Sequence, residues 1–235
     1  MLICGLQKLS LLDFPEKLAA TIFTGGCNLR CPFCHNAGLV TKLQESAAIP
    51  EQEVLAFLRS RIGKLDGVCI TGGEPLLQPD LESFIEKVRD LGFAVKLDTN
   101  GCTPDRLGAL LERGLLDYVA MDIKNSPSKY PETVGLSTFD SAPVFESARA
   151  LMRSGVAYEF RTTLVSGFHT AKDMEELGVL LEGAEKYFLQ SFKDSGDLVG
   201  FGTAPGFNMA SLAKDDIEGF RNILSRYIKQ VEIRG

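Results

Sequence analysis

Three of the six cysteines in this 235-residue chain lie within eight consecutive positions. They are Cys27, Cys31 and Cys34, spaced Cys-x3-Cys-x2-Cys, and the other three are scattered singly. Thiolates on a short loop can each bind one iron of a [4Fe–4S] cube, whose usual complement is four cysteines. Three local ligands leave one iron open, and an open position separates a catalytic metal site from a closed structural one. The spacing therefore predicts an iron–sulfur cluster that can bind a further ligand.

A zinc knuckle is the alternative at this loop, with His35, Cys69 or Cys102 as its fourth ligand. Zinc sites usually pair two Cys-x2-Cys halves, and the sequence offers no second half. The spacing favours iron and leaves zinc open.

Adjacent glycines occur in Gly72-Gly73-Glu74-Pro75, directly after a short apolar run of the β type. Glycine lets the backbone turn sharply and approach a ligand closely. We expect a ligand-binding turn here, although an ordinary turn would use the same residues.

Charged side chains also fall at or near the ends of later apolar runs. Asp98-Thr99-Asn100-Gly101 ends one run, and Asp122 and Lys124 lie two positions apart in the next. Residues two apart on a strand point to the same face. A carboxylate and an ammonium buried there need each other or a zwitterionic ligand. The sequence leaves two interpretations of this pair open, a structural ion pair and a ligand-binding site.

Two further cations extend this set. Arg161 lies among the apolar and hydroxyl residues of Phe160–Leu164, where a ligand carboxylate or ribose explains a charge better than solvent does, provided the strand register is as read. Lys193 is a weaker prediction, since a solvated loop lysine fits its position equally well.

The elements that must position these residues alternate between β-type runs and amphipathic helical stretches. One helix face is predicted by Val54, Leu55, Leu58 and Ile62, and a last helix is predicted at about Lys214–Tyr227, followed by a short apolar tail. The six predicted strands are Ala19–Thr24, Gly67–Thr71, Ala94–Thr99, Tyr118–Lys124, Ala157–Val165 and Lys186–Ser191.

Six β/α repeats predict an α/β fold with a parallel sheet and right-handed crossovers. Six units are too few for a closed eight-stranded barrel, so the repeats fit an open, partial barrel or a doubly wound sheet. Of these two we expect the partial (β/α)6 barrel, similar to an incomplete TIM barrel. No linker is evident, and we expect a single domain over residues 1–235. Ligands should gather at the carboxyl ends of the strands.

Composition narrows the class of protein. The net charge of −6 argues against a general nucleic-acid or anionic-membrane surface, and no signal peptide or spanning segment is predicted. We expect a cytoplasmic protein, in which disulfides are rare. The glycine-rich stretch Asp194–Gly206 fits a partner-facing loop or a plain connection.

The cysteine motif has a known counterpart. Cys-x3-Cys-x-aromatic-Cys, with Phe33 at the aromatic position, resembles the hallmark of the radical S-adenosylmethionine (SAM) enzymes. The resemblance implies that the amino and carboxylate groups of SAM chelate the open iron and that Phe33 lies beside the adenine. Gly-Gly-Glu-Pro resembles the segment whose main chain bonds the methionyl amine.

Further motifs resemble those of the glycyl-radical-enzyme activases, over nearly the whole chain. They are Leu9-Ser10-Leu11-Leu12-Asp13-Phe14-Pro15, Cys-Pro-Phe-Cys-His-Asn with His35 and Asn36, Asp-Thr-Asn-Gly and Met-Asp-Ile-Lys. The most similar group is the anaerobic ribonucleoside-triphosphate reductase activating proteins, and pyruvate formate-lyase activating enzyme is a more distant relative.

This second resemblance implies a SAM site and a monovalent cation. Asp98, Thr99 and Asp122 would frame the cation beside the SAM carboxylate. Pyruvate formate-lyase activating enzyme has a histidine where this chain has Lys193, which puts that contact in doubt. The implied SAM-binding set is Phe33, Cys34, His35, Gly72, Gly73, Glu74, Asp98, Thr99, Asn100, Asp122, Ile123, Lys124, Arg161 and Lys193.

The implied reaction needs no catalytic acid or base from the protein. A one-electron donor such as flavodoxin or ferredoxin would reduce the cluster, SAM would be cleaved at C5′, and the 5′-deoxyadenosyl radical would take hydrogen from a glycine of a partner glycyl radical enzyme. Three alternatives stay open. They are a small-molecule enzyme similar to 7-carboxy-7-deazaguanine synthase, a non-catalytic zinc-binding interaction module, and an ordinary α/β-barrel enzyme with incidental cysteines.

Overall fold

The computed structural model describes residues 1–41, 48–193, 198–199 and 209–235. The predicted loop Asp194–Gly206 lies outside the described residues, apart from Leu198 and Val199. The chain forms two compact units. The first unit comprises Met1–Asn28, Gly38–Thr99 and Asp105–Ala120, and the second comprises Leu29–Ala37, Asn100–Pro104 and Met121–Gly235.

Within the described residues, eight strands follow one another in chain order across the sheet. The first pair is antiparallel, and the pairs β2–β3, β3–β4, β6–β7 and β7–β8 are parallel. The strands are β1 (Ile3–Ser10), β2 (Ala19–Thr24), β3 (Gly67–Gly72), β4 (Ala94–Thr99), β5 (Tyr118–Asp122), β6 (Ala157–Leu164), β7 (Lys186–Ser191) and β8 (Gln230–Arg234). The predicted α/β class with a mostly parallel sheet is confirmed.

Helices connect most of the strands, as right-handed crossovers require. They are α1 (Ala37–Val40), α2 (Glu51–Arg59), α3 (Leu81–Asp90), α4 (Pro104–Glu112), α5 (Tyr130–Thr133), α6 (Ala142–Arg153), α7 (Ala171–Leu180) and α8 (Lys214–Leu224), with a 3₁₀ turn at Pro75–Leu77. None of the helices in the described ranges is both long and apolar enough to cross a membrane.

The first unit has a core in which the strands are covered on both faces. Ile22, Ile70 and Leu97 come from three neighbouring strands and are fully buried. Helix α3 buries Leu81, Phe84, Ile85 and Val88, the i, i+3, i+4, i+7 face of an amphipathic helix. The predicted face of α2 is wrong at one position, because the helix ends at Arg59 and Ile62 is 55% exposed beyond it.

The second unit contains the parallel strands β6, β7 and β8. Its helix α7 begins with a capping box, in which Thr170 and Asp173 exchange side-chain-to-backbone hydrogen bonds. Gly178 on α7 lies against Tyr227, where any side chain would overlap the tyrosine ring.

Strands β1 and β8 were not predicted. Strand β1 is interrupted by register shifts, so its sequence lacks a regular period. Strand β8 has only exposed and half-buried side chains and is held by pairing with β7 and by Arg234, whose guanidinium bonds both oxygens of buried Glu159 (3.0 and 3.3 Å).

Candidate cofactor site

Two of the three motif cysteines lie on one tight turn in the second unit. The Cys34 N–H donates to the Cys31 carbonyl at 3.1 Å, which closes a β-turn with Pro32 at the position where proline's fixed φ is favourable. The preceding residue is anchored too, because the Arg30 N–H donates to the Val134 carbonyl at 2.9 Å. The sequence Cys-Pro-Phe-Cys therefore builds a turn that presents two thiols.

The aromatic residues of this loop face different surroundings. Phe33 is buried and packs edge-on against Phe168, with ring centroids 5.6 Å apart. His35 is exposed and stacks on Phe192 at 5.5 Å.

A cavity of about 360 Å³ in the second unit brings the predicted residues His35 and Lys193 together. Its lining comes from the cysteine loop, the carboxyl-terminal parts of β6 and β7, and the end of β8. The lining residues are His35, Thr163, Gln190, Ser191, Lys193, Arg234 and Gly235. Thr163 and Gln190 were not predicted, because an uncharged polar residue at a strand end carries no distinctive signal.

Asp122 accepts hydrogen bonds from two cations. Lys124 Nζ donates to one carboxylate oxygen at 2.9 Å, and Arg161 Nε donates to the other at 3.0 Å. Burial would raise the pKa of Asp122, but Lys124 and Arg161 outweigh it and hold that pKa well below its usual range. Strand β5 ends at Asp122, so the predicted strand Tyr118–Lys124 is two residues too long, but the predicted contact between Asp122 and Lys124 is present. The side chains of Lys124 and Arg161 are 18% and 16% exposed.

The electrostatic surroundings of Lys124 include the cysteine turn. Burial would lower the pKa of Lys124, but attraction to Asp122, with smaller contributions from Cys31 and Cys34, raises it above its ordinary value. Lys124 therefore stays protonated in the field of the two sulfurs.

The backbone of Lys124 is fixed by two buried residues that the sequence analysis missed. The Lys124 N–H donates to the Tyr130 hydroxyl at 3.1 Å, and His169 Nε2 donates to the Lys124 carbonyl at 2.9 Å. His169 Nδ1 accepts from the Val165 N–H at 3.1 Å, which places the ring proton on Nε2. Burial lowers the pKa of His169. The positions of Tyr130 and His169 in the sequence give no sign that they contact Lys124.

In the first unit, the glycines of Gly-Gly-Glu-Pro pack against the segment before Cys27. The Gly73 N–H donates to the Thr24 carbonyl at 2.9 Å, and the Glu74 N–H donates to the Gly26 carbonyl at 2.7 Å. A side chain on Gly72 (φ +123°) would overlap the Thr24 backbone, and one on Gly73 would overlap the Gly26 carbonyl. The protein's own backbone therefore requires both glycines.

Glu74 and Thr99 form a buried pair in the same unit. The Thr99 hydroxyl donates to a Glu74 carboxylate oxygen at 2.8 Å, and that oxygen also accepts the Leu76 N–H at 3.0 Å. Glu74 thus caps the 3₁₀ turn that follows it. Asp98 is paired with Lys96, which is 2% exposed.

Two predicted SAM contacts have structural roles. The Asn100 side chain accepts the Cys102 N–H at 3.0 Å, a local turn. Ile123 is fully buried, and its N–H donates to the Arg161 carbonyl at 2.8 Å while its carbonyl accepts from the Thr162 hydroxyl. Their contact with SAM stays a prediction.

Cys27 belongs to the first unit, whereas Cys31 and Cys34 belong to the second. Across the described ranges, no group of three or more His, Cys, Asp and Glu side chains is arranged to hold a metal ion. The side chains of Cys31 and Cys34 nevertheless have the type of donor atom that an iron–sulfur cluster binds. The two thiols on this turn are therefore suitable ligands for cluster iron. The three-cysteine ligand set stays a prediction.

Comparisons with known proteins place the chain in a family. A profile of the radical SAM superfamily matches residues 21–181. A Methanocaldococcus jannaschii protein provisionally named a glycyl-radical enzyme activating enzyme is 31% identical over 241 residues, covering 99% of this chain and 95% of the relative. The pyruvate formate-lyase-activating enzyme of Staphylococcus aureus is 28% identical, covering 82% of this chain and 81% of that enzyme.

Two other matches are less complete. The 7-carboxy-7-deazaguanine synthase of Methanopyrus kandleri is 36% identical but covers 47% of this chain and 51% of the synthase. A crystal structure of Streptococcus suis SuiB bound to SAM has a TM-score of 0.66 at 14% identity, covering 89% of this chain and 48% of SuiB. At that identity the likeness supports the fold alone.

The chain belongs to the radical SAM superfamily. Membership implies a [4Fe–4S] cluster and SAM as cofactors, and the chain is a radical SAM enzyme.

Proposed function

We propose that this enzyme is a glycyl-radical-enzyme activase that removes a hydrogen atom from a glycine of a partner protein. One observation carries the proposal: the relative named as an activating enzyme aligns with 99% of this chain. The proposed partners are a glycyl radical enzyme, which an anaerobic ribonucleotide reductase would satisfy, and a flavodoxin or ferredoxin as electron donor. The proposed location is the cytoplasm.

The bound cofactors would supply one-electron cleavage of the SAM sulfonium and the radical that abstracts hydrogen. Cys27, Cys31 and Cys34 are the proposed cluster ligands. Lys124 and Arg161 are proposed to bind the SAM carboxylate, because both are cationic, partly exposed and held side by side on one carboxylate. Asp122 then acts by holding both cations in position.

The proposed role of Gly72, Gly73 and Glu74 is to bind the methionyl amine of SAM. An ammonium needs acceptors, and the Gly73 and Glu74 amides already donate within the protein. Any bond to the methionyl amine would therefore be accepted by main-chain carbonyl oxygens of this segment, of which that of Glu74 already accepts the Leu77 N–H at 3.2 Å. Phe33, His35 and Lys193 are proposed to contact the adenosine moiety from the second unit.

The test of this proposal is SAM cleavage with and without a partner. The protein would be reconstituted anaerobically with iron and sulfide, reduced, and assayed for 5′-deoxyadenosine alone and with candidate glycyl radical enzymes. We expect a glycyl-radical EPR signal in the partner that depends on SAM. Cys31→Ala should abolish both products, and Cys4→Ala, outside the motif, should leave them unchanged.

Three outcomes would contradict the proposal. Turnover of a free small molecule without a protein partner would favour the synthase-like alternative, which the partial match to 7-carboxy-7-deazaguanine synthase supports. One bound zinc in a colourless protein would favour the interaction module. Full activity in Cys31→Ala would mean that the cysteines are incidental.

A further inference from the structure

Lys96 is a buried lysine that the proposed chemistry does not use. It lies on β4 and is 2% exposed. Asp98 is two residues further on the same strand, so both side chains point to one face. The Lys96 ammonium pairs with the Asp98 carboxylate and donates to Cys69 Sγ at 3.7 Å. A lysine is rarely buried unless it is paired, so the ion pair with Asp98 is what allows Lys96 to be buried.

The pairing conflicts with the monovalent cation that the family resemblance implies. In the first unit, Asp98 already has the Lys96 ammonium as counterion, and the Thr99 hydroxyl donates to Glu74. In the second unit, Lys124 and Arg161 bond both oxygens of Asp122. The three residues therefore do not fit a metal cation.

Charge explains the conflict. A metal cation on Asp98 would stand beside the Lys96 ammonium, and like charges repel strongly where little water screens them. The carboxylate cannot neutralise both.

We propose that Lys96 is a built-in replacement for the monovalent cation. Its ammonium neutralises and positions the Asp98 carboxylate, so that the protein needs no K⁺ or Na⁺ for that purpose. The part of this inference that concerns SAM rests on the proposed function, whereas the part that concerns Asp98 does not.

The first test measures thermal unfolding of the cluster-free protein in K⁺ and in tetramethylammonium at equal ionic strength. Tetramethylammonium is too large to occupy the place of Lys96. The wild type should unfold at the same temperature in both salts. Lys96→Met should be stabilised by K⁺ in a saturable way, as expected for a cation that binds only the folded state. Lys87→Met, which removes an exposed lysine paired with Glu51, should show no K⁺ effect.

In this unfolding test, either of two results would overturn the proposal: saturable, K⁺-specific stabilisation of the wild type, or a folded Lys96→Met protein with no response to K⁺. If Lys96→Met does not fold, the proposal is decided by the unfolding temperature of the wild type in the two salts and by X-ray diffraction from wild-type crystals that contain Rb⁺. Anomalous scattering from Rb⁺ at Asp98 of the wild type would overturn the proposal, and its absence there would support it.

The second test measures 5′-deoxyadenosine formation by the reconstituted protein in the same two salts. The wild type should change less than roughly twofold, and Lys96→Met should be stimulated by K⁺ roughly tenfold or more, as a bound cation restores the charge. A wild type that depends on K⁺ to that extent would overturn the inference. A wild type that cleaves no SAM in either salt would contradict the proposed function, while the unfolding test would still decide the role of Lys96.

Discussion

At the scale of single residues, the chemistry of the second unit depends on how one carboxylate is shared. Asp122 is bonded by Lys124 and Arg161 through different oxygens. The arrangement holds two cations close together at fixed positions, which suits the binding of an anionic ligand. Removing the carboxylate should therefore harm both the fold and ligand binding.

Asp122→Asn should lower the free energy of unfolding at pH 7 by about 2 kcal/mol, because two charge-assisted hydrogen bonds are weakened. The folded-state pKa of Asp122 is depressed, so its stabilising contribution is complete above the unfolded-state pKa of about 3.9 and is lost as pH falls towards the folded-state pKa. Urea unfolding at several pH values measures this. The difference between wild type and variant should shrink below about pH 4.

A matched control is Glu132→Gln, which removes an exposed carboxylate paired with Lys129. Its effect should stay below about 0.5 kcal/mol. An Asp122→Asn protein as stable as the wild type at neutral pH would contradict the assigned ion-pair set.

His169→Ala tests whether a buried ring positions Lys124. We expect the KM for SAM to rise roughly threefold to tenfold with kcat nearly unchanged, because a displaced lysine weakens ground-state and transition-state binding alike.

Burial lowers the folded-state pKa of His169, so its contribution to stability is present above pH about 6.5 and is lost as pH falls through the folded-state pKa. In His169→Ala, the free energy of unfolding should lose this dependence on acid pH. A variant whose unfolding free energy varies with pH as that of the wild type does would argue against a buried, neutral His169 that positions Lys124.

At the scale of elements, glycines set how closely neighbouring segments approach. Gly73→Ala should destabilise the protein by about 2–4 kcal/mol, because the added methyl group would overlap the Gly26 carbonyl. Gly108→Ala is the control. It lies inside α4 with open space around it, and it should stabilise the protein by about 0.5–1 kcal/mol. Equal effects in denaturant unfolding would contradict the close approach.

The elements also show what could be predicted from the sequence. Several of the six inner strands are recognisable because buried parallel strands are nearly continuous apolar runs. Strand β8 is not, because its side chains are exposed and its partner Glu159 lies 75 positions away. The cysteine spacing and the pair Asp122–Lys124 carry local signals. The contacts of Lys96 with Cys69 and of His169 with Lys124 depend on which strands and turns become neighbours, which no local pattern encodes.

At the scale of the whole molecule, the account predicts an oxygen-sensitive enzyme. An iron without a protein ligand is open to attack, so aerobic purification should bleach the brown colour and abolish SAM cleavage. Absorbance and 5′-deoxyadenosine formation would be compared before and after exposure to air, with anaerobic reconstitution expected to restore both. A colourless protein that still cleaves SAM would contradict the account.

The central claim is that three cysteines hold a [4Fe–4S] cluster whose remaining iron binds SAM. Mössbauer spectroscopy of protein reconstituted with ⁵⁷Fe, with and without SAM, tests it most directly. We predict that SAM changes the signal of one iron site, roughly a quarter of the iron in the cube, while the other three sites keep their parameters. A spectrum unaffected by SAM, with all the irons already bearing protein ligands, would contradict the claim.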